Sequence, residues 1–504
     1  MPSAADVLFV ALLAVLSFTS LSIRLLGDAG IGWHIRTGEL ILSTHAIPRT
    51  DPFSSSMQGK PWFAWEWLYD VIVGKLEGIA GLNGVVWFTA VVIGAVFAWT
   101  FRILIARGVH LLIAVGLLLL TVSAAMIHFL ARPHVVNWLF ALAWFCILDK
   151  TERDCRKTQS TNRSRWFRAL PPLMLLWCNL HGGFLLGFVL LAIFWLGSVW
   201  TWFTRRGDRI EEVLEKIAAG KRAWRLVWVG LASVAASLVN PYGWRLHSHI
   251  YSYLSNRFLM DHIEEFQSPG FHGIAQKCFL LLLIVTVAAL AAYGRNLRAS
   301  ELLTILFAIS TGLYSARNIP ISSILLVIIV GPLLRHMKVA AEFFQRMHSL
   351  ESTLCGHLWP ILSLIVTGLI AINGGRIGPN QVIDAHFGPK RMPVEAVNYI
   401  AAHDIRGPVL SPDYWGGYLI YRLYPTAQVV VDDRHDFYGS DFFKSYLRMM
   451  HVEDRWEEFV DQHPAGCLLL PRNSALANVL RKTTGWNVAY SDDVSIVFVP
   501  AGKR

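Results

Sequence analysis

The residues of this sequence best suited to chemistry are charged and polar side chains that directly follow long apolar runs. Asp28 comes straight after the first such run. If that run crosses a membrane, the Asp28 carboxylate lies at the membrane boundary. There it can take a proton from a hydroxyl group while the reaction stays beside the membrane. His34 follows in the same segment and could assist, or bind phosphate when protonated. The alternative is a capping aspartate among hydrogen-bonded surface residues, which the residue types alone favour slightly.

The loop that begins at Asp28 carries further candidates. Arg36 and Glu66 lie within residues 27–80 and are candidate substrate-binding residues. The stretch from Trp62 to Ile79 is aromatic-rich and amphipathic, which is typical of a helix lying in the plane of the membrane interface. The loop is therefore predicted to hold polar side chains at the edge of the bilayer.

Two basic segments fit the recognition of a phosphate group. Arg132 and His134 stand in "ARPHVVNW", and Arg317 stands in "SARNIP". The planar guanidinium of an arginine can clamp a phosphate through two hydrogen bonds. The alternative for either arginine is a side chain that extends from an apolar run to the membrane interface.

Two more segments place polar residues next to apolar runs. Asn179 and His181 in "WCNLHGG" either bridge helices or line a cavity, and we favour the cavity. Glu265 belongs to the acid-rich loop "DHIEEFQSP". Such a loop can bind a divalent metal ion, but it is more often only solvated, and its set of ligands is incomplete.

A last candidate group, Asp432 and Arg434, stands in "VVVDDRHDFYG" at the end of a predicted strand. Strand ends are where α/β domains place functional groups. The alternative, which we favour slightly, is an internal ion-pair network around Arg434.

These residues are embedded in a chain too apolar for a soluble protein. Of its 504 residues, 54% are hydrophobic and 16% are charged, which predicts a polytopic membrane protein. The net charge of +10 does not indicate nucleic-acid binding, because most Lys and Arg lie in short loops between apolar runs. About eleven spans are predicted, at roughly 5–26, 83–101, 110–128, 134–149, 168–181, 184–203, 226–239, 276–293, 300–315, 319–334 and 356–373.

The basic residues also predict the orientation. With a cytoplasmic N-terminus, the inner loops hold about 21 Lys and Arg, far more than the outer loops. Those inner loops are 102–109, 150–168, 204–225, 294–299 and 335–352. Every candidate residue then falls on the outer side. Polar groups at membrane depth are costly and usually face a cavity or a partner, so we expect one polar site that faces outward.

The chain after residue 374 has a different pattern. Strand-like runs such as "GPVLS", "AQVVVDD", "GCLLLP" and "SIVFVP" alternate with helix-like runs such as "YWGGYLIYRLY", which predicts a small α/β domain. The predicted fold class is thus a mainly α polytopic membrane protein. Its transmembrane domain covers 1–374, and an extracytoplasmic α/β domain covers 375–504.

This layout resembles the GT-C superfamily of membrane glycosyltransferases, which includes protein O-mannosyltransferases and the catalytic subunit of oligosaccharyltransferase. The matching parts are "GDAGIGWH" after the first span, the helical stretch near "EWLYDVI", and the C-terminal domain. The residue content of one further stretch is similar to that of the oligosaccharyltransferase "WWDYG" region, although the order of residues differs. This stretch is "SPDYWGGYLIYRLYPTAQVVVDDR". More closely, the chain resembles bacterial membrane proteins with "WHxRTGExI…DPFS…EWL" openings and "WGGYLI…D.R…YG" tails.

The resemblance implies a glycosyltransferase at the outer face of the plasma (inner) membrane. Its donor would be a polyprenyl-phosphate sugar, and its acceptor a glycan, lipid or protein of the cell envelope. Asp28 would be the base, and Arg132 or Arg317 would contact the phosphate. Similar openings often carry a second acid two residues after the first, where this chain has Gly30. The resemblance therefore implies no certain cofactor and leaves a divalent metal ion open.

Two other functions stay open at this stage. One is a transporter or flippase for a lipid-linked envelope intermediate, for which inverted repeats are common, and we find no internal repeat in the sequence. The other is a non-catalytic membrane scaffold whose C-terminal domain binds a partner. All three predictions include contact with membrane lipid and none includes nucleic acid.

Overall fold

The architecture was analysed in a computed structural model, which describes residues 2–158, 164–205, 209–337, 342–354 and 357–502. The segments 159–163, 206–208 and 338–341 of the predicted inner loops lie outside the described residues. The described chain is a helical bundle followed by a smaller region that contains a sheet.

Sixteen helices precede residue 373 in the described chain. They are α1 (Ala4–Phe18), α2 (Leu21–Leu25), α3 (Ile31–Thr44), α4 (Trp67–Ala106), α5 (Leu111–Ala125), α6 (His134–Thr158), α7 (Leu170–Leu180), α8 (Leu185–Thr204), α9 (Ile210–Ser237), α10 (Trp244–Leu254), α11 (Arg257–His262), α12 (Ile274–Tyr293), α13 (Ala299–Tyr314), α14 (Ile319–Val330), α15 (Glu342–Thr353) and α16 (Leu358–Ile372). Short 3₁₀ turns extend several of them.

Five helical stretches of the described chain are long and apolar enough to cross a membrane. They are Trp67–Ala106, Leu111–His128, Gly182–Thr204, Ile274–Tyr293 and Ala316–Arg335. The helices α1, α13 and α16 are apolar but shorter. The prediction of a membrane protein is thus supported, whereas the number of eleven spans stays a prediction.

The first apolar run is not one continuous helix, contrary to the predicted span 5–26. Helix α1 ends at Phe18 and α2 begins at Leu21. The hydroxyl of Thr19 donates a hydrogen bond to the carbonyl of Val15 at 2.6 Å and accepts one from the N–H of Leu21 at 3.2 Å. This local bonding competes with the helical backbone pattern and ends α1.

Helix α4 covers both the predicted interfacial helix and the next predicted span. It begins at Trp67 rather than at Trp62, and it bends at Gly81, whose φ of 60° is outside the helical region. Only glycine adopts that backbone conformation without strain. The residues of α4 before the bend thus form a separate helical segment. This segment directly follows residues 27–66, which we define as the opening loop.

Helix α3 packs closely against α4 because glycines face each other. A Cβ atom at Gly38 would lie 2.6 Å from the carbonyl carbon of Asp70, and one at Gly74 would lie 2.8 Å from the carbonyl carbon of Gly38. Real side chains do not approach backbone so closely. The small residues therefore fix the position of α3, which carries His34, against the first turns of α4.

The C-terminal region contains α17 (Val394–Ala402), α18 (Asp413–Leu423), α19 (His435–Tyr438), α20 (Ser440–His451), α21 (Glu457–Gln462) and α22 (Ala475–Leu480). Its strands are β1 (Arg376–Ile377), β2 (Asn380–Gln381), β3 (Val409–Leu410), β4 (Cys467–Pro471), β5 (Trp486–Ser491) and β6 (Ser495–Pro500). Strands β1 and β2 form a hairpin. The main sheet has the order β3-β4-β6-β5, in which only β3 and β4 are parallel.

The strand predicted for "AQVVVDD" is wrong, although the predicted strands at "GPVLS", "GCLLLP" and "SIVFVP" are confirmed. Val429 makes only isolated bridges, one to Val409 and one to Ser54 of the opening loop. Its N–H bonds to the carbonyl of Phe53 at 3.2 Å, and its own carbonyl accepts from the N–H of Ser55 at 2.8 Å. The apolar run around Val429 is buried between the opening loop and β3. It thereby joins the opening loop to the C-terminal region.

Helix α18 holds the C-terminal region against α3. A Cβ atom at Gly32 would lie 2.9 Å from the carbonyl carbon of Gly417, and one at Gly417 would lie 2.7 Å from the carbonyl carbon of Ala29. The Arg36 guanidinium also bonds to the carbonyl of Tyr421, with Nε at 2.9 Å. Helix α3 thus lies between α4 and α18, and both carry residues to the site described below.

Candidate functional site

The opening loop, the helical bundle and the C-terminal region enclose a cavity of about 930 Å³. Candidates from distant parts of the sequence line it: Asp28, Glu66, Arg132, Glu265, Arg317 and Arg434. Trp33, Trp62 and Trp65 add apolar surface. A concave site with a few convergent polar groups on an aromatic wall is typical of a ligand-binding site. The structure therefore brings half of the predicted site residues together.

One guanidinium joins two carboxylates on the cavity wall. Nη1 of Arg132 donates to Oδ2 of Asp433 at 2.8 Å and to Oδ1 of Asp28 at 3.2 Å. Asp28 also accepts from the N–H of Gly30 at 2.9 Å, and Asp433 accepts from Nε1 of Trp33 at 3.0 Å. Burial raises the pKa of Asp433 to about 6 although Arg132 opposes the shift.

A metal ion held by paired acids does not fit this arrangement. The second acid would stand at residue 30, where a Cβ atom would overlap Nη1 of Arg132 and lie 2.7 Å from its Cζ. The two carboxylates present already share the guanidinium. Nor does any cluster of three or more His, Cys, Asp or Glu side chains suited to a metal ion occur among the described residues.

Glu66 is a buried carboxyl group between two histidines. Its Oε1 lies 3.5 Å from Nε2 of His181, and its Oε2 lies 3.8 Å from Nε2 of His34. Burial raises the pKa of Glu66 to about 8, so this side chain is protonated at neutral pH. It can therefore donate a hydrogen bond to a ligand oxygen in the cavity.

His34 and His181 contact Glu66 but do not themselves line the cavity. Nδ1 of His34 lies 2.6 Å from Oδ1 of Asp70 in a fully buried contact. Nδ1 of His181 accepts from the N–H of Gly183 at 2.8 Å, so its Nε2 carries the proton that points toward Glu66. Burial lowers the pKa of His34 well below its usual range, which makes this histidine neutral.

Arg317 and Glu265 form an ion pair at another part of the wall. Nη1 of Arg317 donates to Oε1 of Glu265 at 2.6 Å, and the guanidinium lies 5.0 Å from the ring centre of Phe266. Burial by itself would raise the pKa of Glu265, but Arg317 and the other positive groups around the carboxylate together hold the pKa below its ordinary value. Glu265 is therefore ionised, and the acid-rich loop contributes an ion pair to the cavity.

Three predicted substrate-binding residues lie away from the cavity. Arg36 bonds to the carbonyl of Tyr421 and to Glu39, the latter at 2.6 Å. His134 donates through Nε2 to the carbonyl of His128 at 2.8 Å. Asn179 accepts from Nε1 of Trp67 at 2.8 Å and donates to the carbonyl of Val239 at 2.9 Å. Each bonds one segment to another and thereby positions the wall.

Asp432 and Arg434 form the internal ion-pair network that was the alternative interpretation of this segment. Arg434 donates through Nη2 to Asp432 at 2.6 Å and through Nη1 to Asp51 of the opening loop at 2.8 Å. Tyr438 completes the shell with a hydrogen bond of 2.9 Å to Asp432. Only 3% of the Arg434 surface is exposed, so this network joins the opening loop to the C-terminal region.

The cavity wall also carries charged residues that were not candidates from the sequence, among them Arg24, Arg391 and Asp413. Nε2 of His435 lies 2.7 Å from Oδ2 of Asp413, and this partner raises the pKa of the histidine although burial opposes it. Neither Arg24 nor Arg391 forms an ion pair with a carboxylate of the described chain. Arg24 is the last basic residue before Asp28, which is the one sequence signal that could have identified it.

The fold has solved counterparts. The structure of the oligosaccharyltransferase AglB from Archaeoglobus fulgidus, in complex with an inhibitory peptide and a dolichol-phosphate, matches with a TM-score of 0.58 at 9% identity, over 99% of this chain and 74% of that chain. A structure of the Archaeoglobus fulgidus oligosaccharyltransferase tethered to an acceptor peptide matches with a TM-score of 0.54 at 10% identity, over the same shares. The sequence matches no protein-family model and no curated protein. The chain thus shares the fold of these archaeal oligosaccharyltransferase structures.

Proposed function

We propose that this protein is a membrane glycosyltransferase. It transfers a sugar from a polyprenyl-phosphate donor to a cell-envelope acceptor on the outer face of the plasma membrane. The observation that carries the proposal is the charged cavity between the bundle and the C-terminal region, in a chain with the fold of an oligosaccharyltransferase. One of those solved structures holds a dolichol-phosphate, and we extend a lipid-linked donor to this chain.

In the proposed reaction Asp28 is the general base. An acceptor hydroxyl attacks the anomeric carbon of the donor, and its proton passes to the Asp28 carboxylate. The bond between that carbon and the phosphate oxygen breaks, and its electron pair stays on the phosphate. Both described hydrogen bonds to the Asp28 side chain end on Oδ1, which leaves Oδ2 for the acceptor.

The leaving phosphate gains negative charge as the bond breaks, so nearby cations stabilise the transition state. Arg24 and Arg391 are suited to this role, because neither is neutralised by a carboxylate within the described chain. Arg317 lines the same cavity but already neutralises Glu265. We therefore assign phosphate binding first to Arg24 and Arg391 and second to Arg317.

The test measures release of polyprenyl phosphate. The full chain in lipid nanodiscs is incubated with a panel of polyprenyl-phosphate sugars and cell-envelope extract. Loss of a general base lowers the rate by about 100-fold or more, and we expect this of Asp28→Asn. The matched control is Asp441→Asn, because the Asp441 side chain is 99% exposed in the C-terminal region.

Each outcome separates the candidate functions. Release by wild type and by Asp441→Asn, but not by Asp28→Asn, supports the proposal. Equal release by all three proteins removes Asp28 from the mechanism. No release across the whole panel contradicts the proposed enzyme and favours the transporter or the scaffold.

A further inference from the structure

We propose that the guanidinium of Arg132 is the resident cation of this site and takes the place that a divalent metal ion occupies between paired acids. Nη1 of Arg132 lies between Oδ2 of Asp433 and Oδ1 of Asp28, at 2.8 Å and 3.2 Å. One donor atom thus contacts an acid from the opening loop and an acid from the C-terminal region. The guanidinium thus supplies a positive charge between the two acids, as a divalent ion held by them would.

Gly30 is the residue that makes this arrangement possible. A Cβ atom there would overlap both Nη1 of Arg132 and Oδ2 of Asp433. Residue 30 is also the place where openings similar to this one often carry a second acid. The glycine here supplies no ligand and leaves the space that the guanidinium fills.

Neighbouring hydrogen-bond donors hold the carboxylates of Asp28 and Asp433 in position to accept hydrogen bonds from Arg132. The N–H of Gly30 holds Oδ1 of Asp28, and Nε1 of Trp33 holds Oδ1 of Asp433. The exposed fractions of the side chains are 22% for Arg132, 33% for Asp28 and 13% for Asp433. Partial burial of this kind strengthens the attraction between the charges, because less water screens them.

A guanidinium supplies one positive charge where a divalent ion supplies two. With both carboxylates ionised, the group of three keeps a net negative charge. The described chain offers no acceptor for Nε or Nη2 of Arg132. These donors are available to an anionic ligand, since Arg132 lines the cavity.

Manganese binding tests the inference without any sugar donor, so this test and the test of the proposed function fail independently. The EDTA-treated full chain in phosphatidylcholine nanodiscs is titrated with Mn²⁺ and followed by electron paramagnetic resonance. We expect the same weak isotherm for wild type, Asp433→Asn and the control Asp441→Asn. A wild-type affinity that falls by about tenfold or more in Asp433→Asn would assign a metal ion to the two acids and overturn the proposal.

A designed variant tests the replacement directly. Gly30→Asp combined with Arg132→Ala introduces a second acid and removes the guanidinium. We expect this protein to bind one Mn²⁺ at least about tenfold more tightly than wild type. A folded double variant that binds no more tightly contradicts the proposal. If the double variant does not fold, the comparison of wild type with Asp433→Asn still decides.

Discussion

Replacing Glu66 with glutamine is expected to make the protein more stable in alkaline solution. Burial raises the pKa of Glu66 from 4.5 to about 8, so the folded state holds this proton more tightly than the unfolded state does. The stability that the bound proton contributes is fully present below pH 4.5 and is lost as the pH rises through about 8. Glutamine has a similar shape and does not ionise.

The size of the effect follows from the two pKa values. A difference of about 3.5 in pKa corresponds to about 5 kcal/mol of unfolding free energy, at about 1.4 kcal/mol for each pH unit. Near pH 7 the folded carboxyl is still protonated, and the expected gain for Glu66→Gln is about 3 kcal/mol. Above pH 8 the gain reaches its full value.

The assay is thermal unfolding of the full chain in nanodiscs between pH 5 and pH 9.5. The difference in unfolding temperature between Glu66→Gln and wild type should widen steadily up to about pH 8 and then stay constant. Glu458→Gln is the matched control, because that side chain is 57% exposed and should give a constant difference. Parallel curves for Glu66→Gln and wild type would refute the reasoning and show that Glu66 is ionised at neutral pH.

Four further changes should separate catalysis, ligand binding and folding. Gly30→Ala places a methyl group against the flexible end of the Arg132 side chain, so we expect lost sugar transfer at an unchanged yield of folded protein. In Gly38→Ala the methyl group would meet the backbone of Asp70 instead. This variant should lower the folded yield, measured by size-exclusion chromatography. Full transfer by Gly30→Ala would contradict the first expectation. Arg434→Ala leaves two buried carboxylates unpaired and should cost about 3–5 kcal/mol in thermal unfolding; an unchanged unfolding temperature would show that the network is dispensable. Arg391→Ala should weaken binding of a fluorescent polyprenyl phosphate by about tenfold without changing stability, and unchanged binding would remove it from the phosphate site.

Local patterns in the sequence predicted the parts of the structure that depend on neighbouring residues. Apolar runs marked the long helices, and alternating runs marked β4, β6 and α18. Asp28 was identified because it directly follows the first apolar run. The strand predicted around Val429 failed, because its two partners are single residues from different parts of the chain.

Only the tertiary structure decided which polar side chains meet. Arg132 and Asp433 are 301 residues apart, and no local pattern encodes a contact over that distance. In the segment of Asp432 and Arg434 the sequence slightly favoured an internal ion-pair network, which these two side chains form, but it did not show that Asp433 between them contacts Arg132. The packing of α3 between α4 and α18 sets these directions, because close glycine contacts fix how the backbones approach. The sequence alone thus indicated a membrane protein with an acid directly after its first apolar run, and the packing determined the cation that the acid binds.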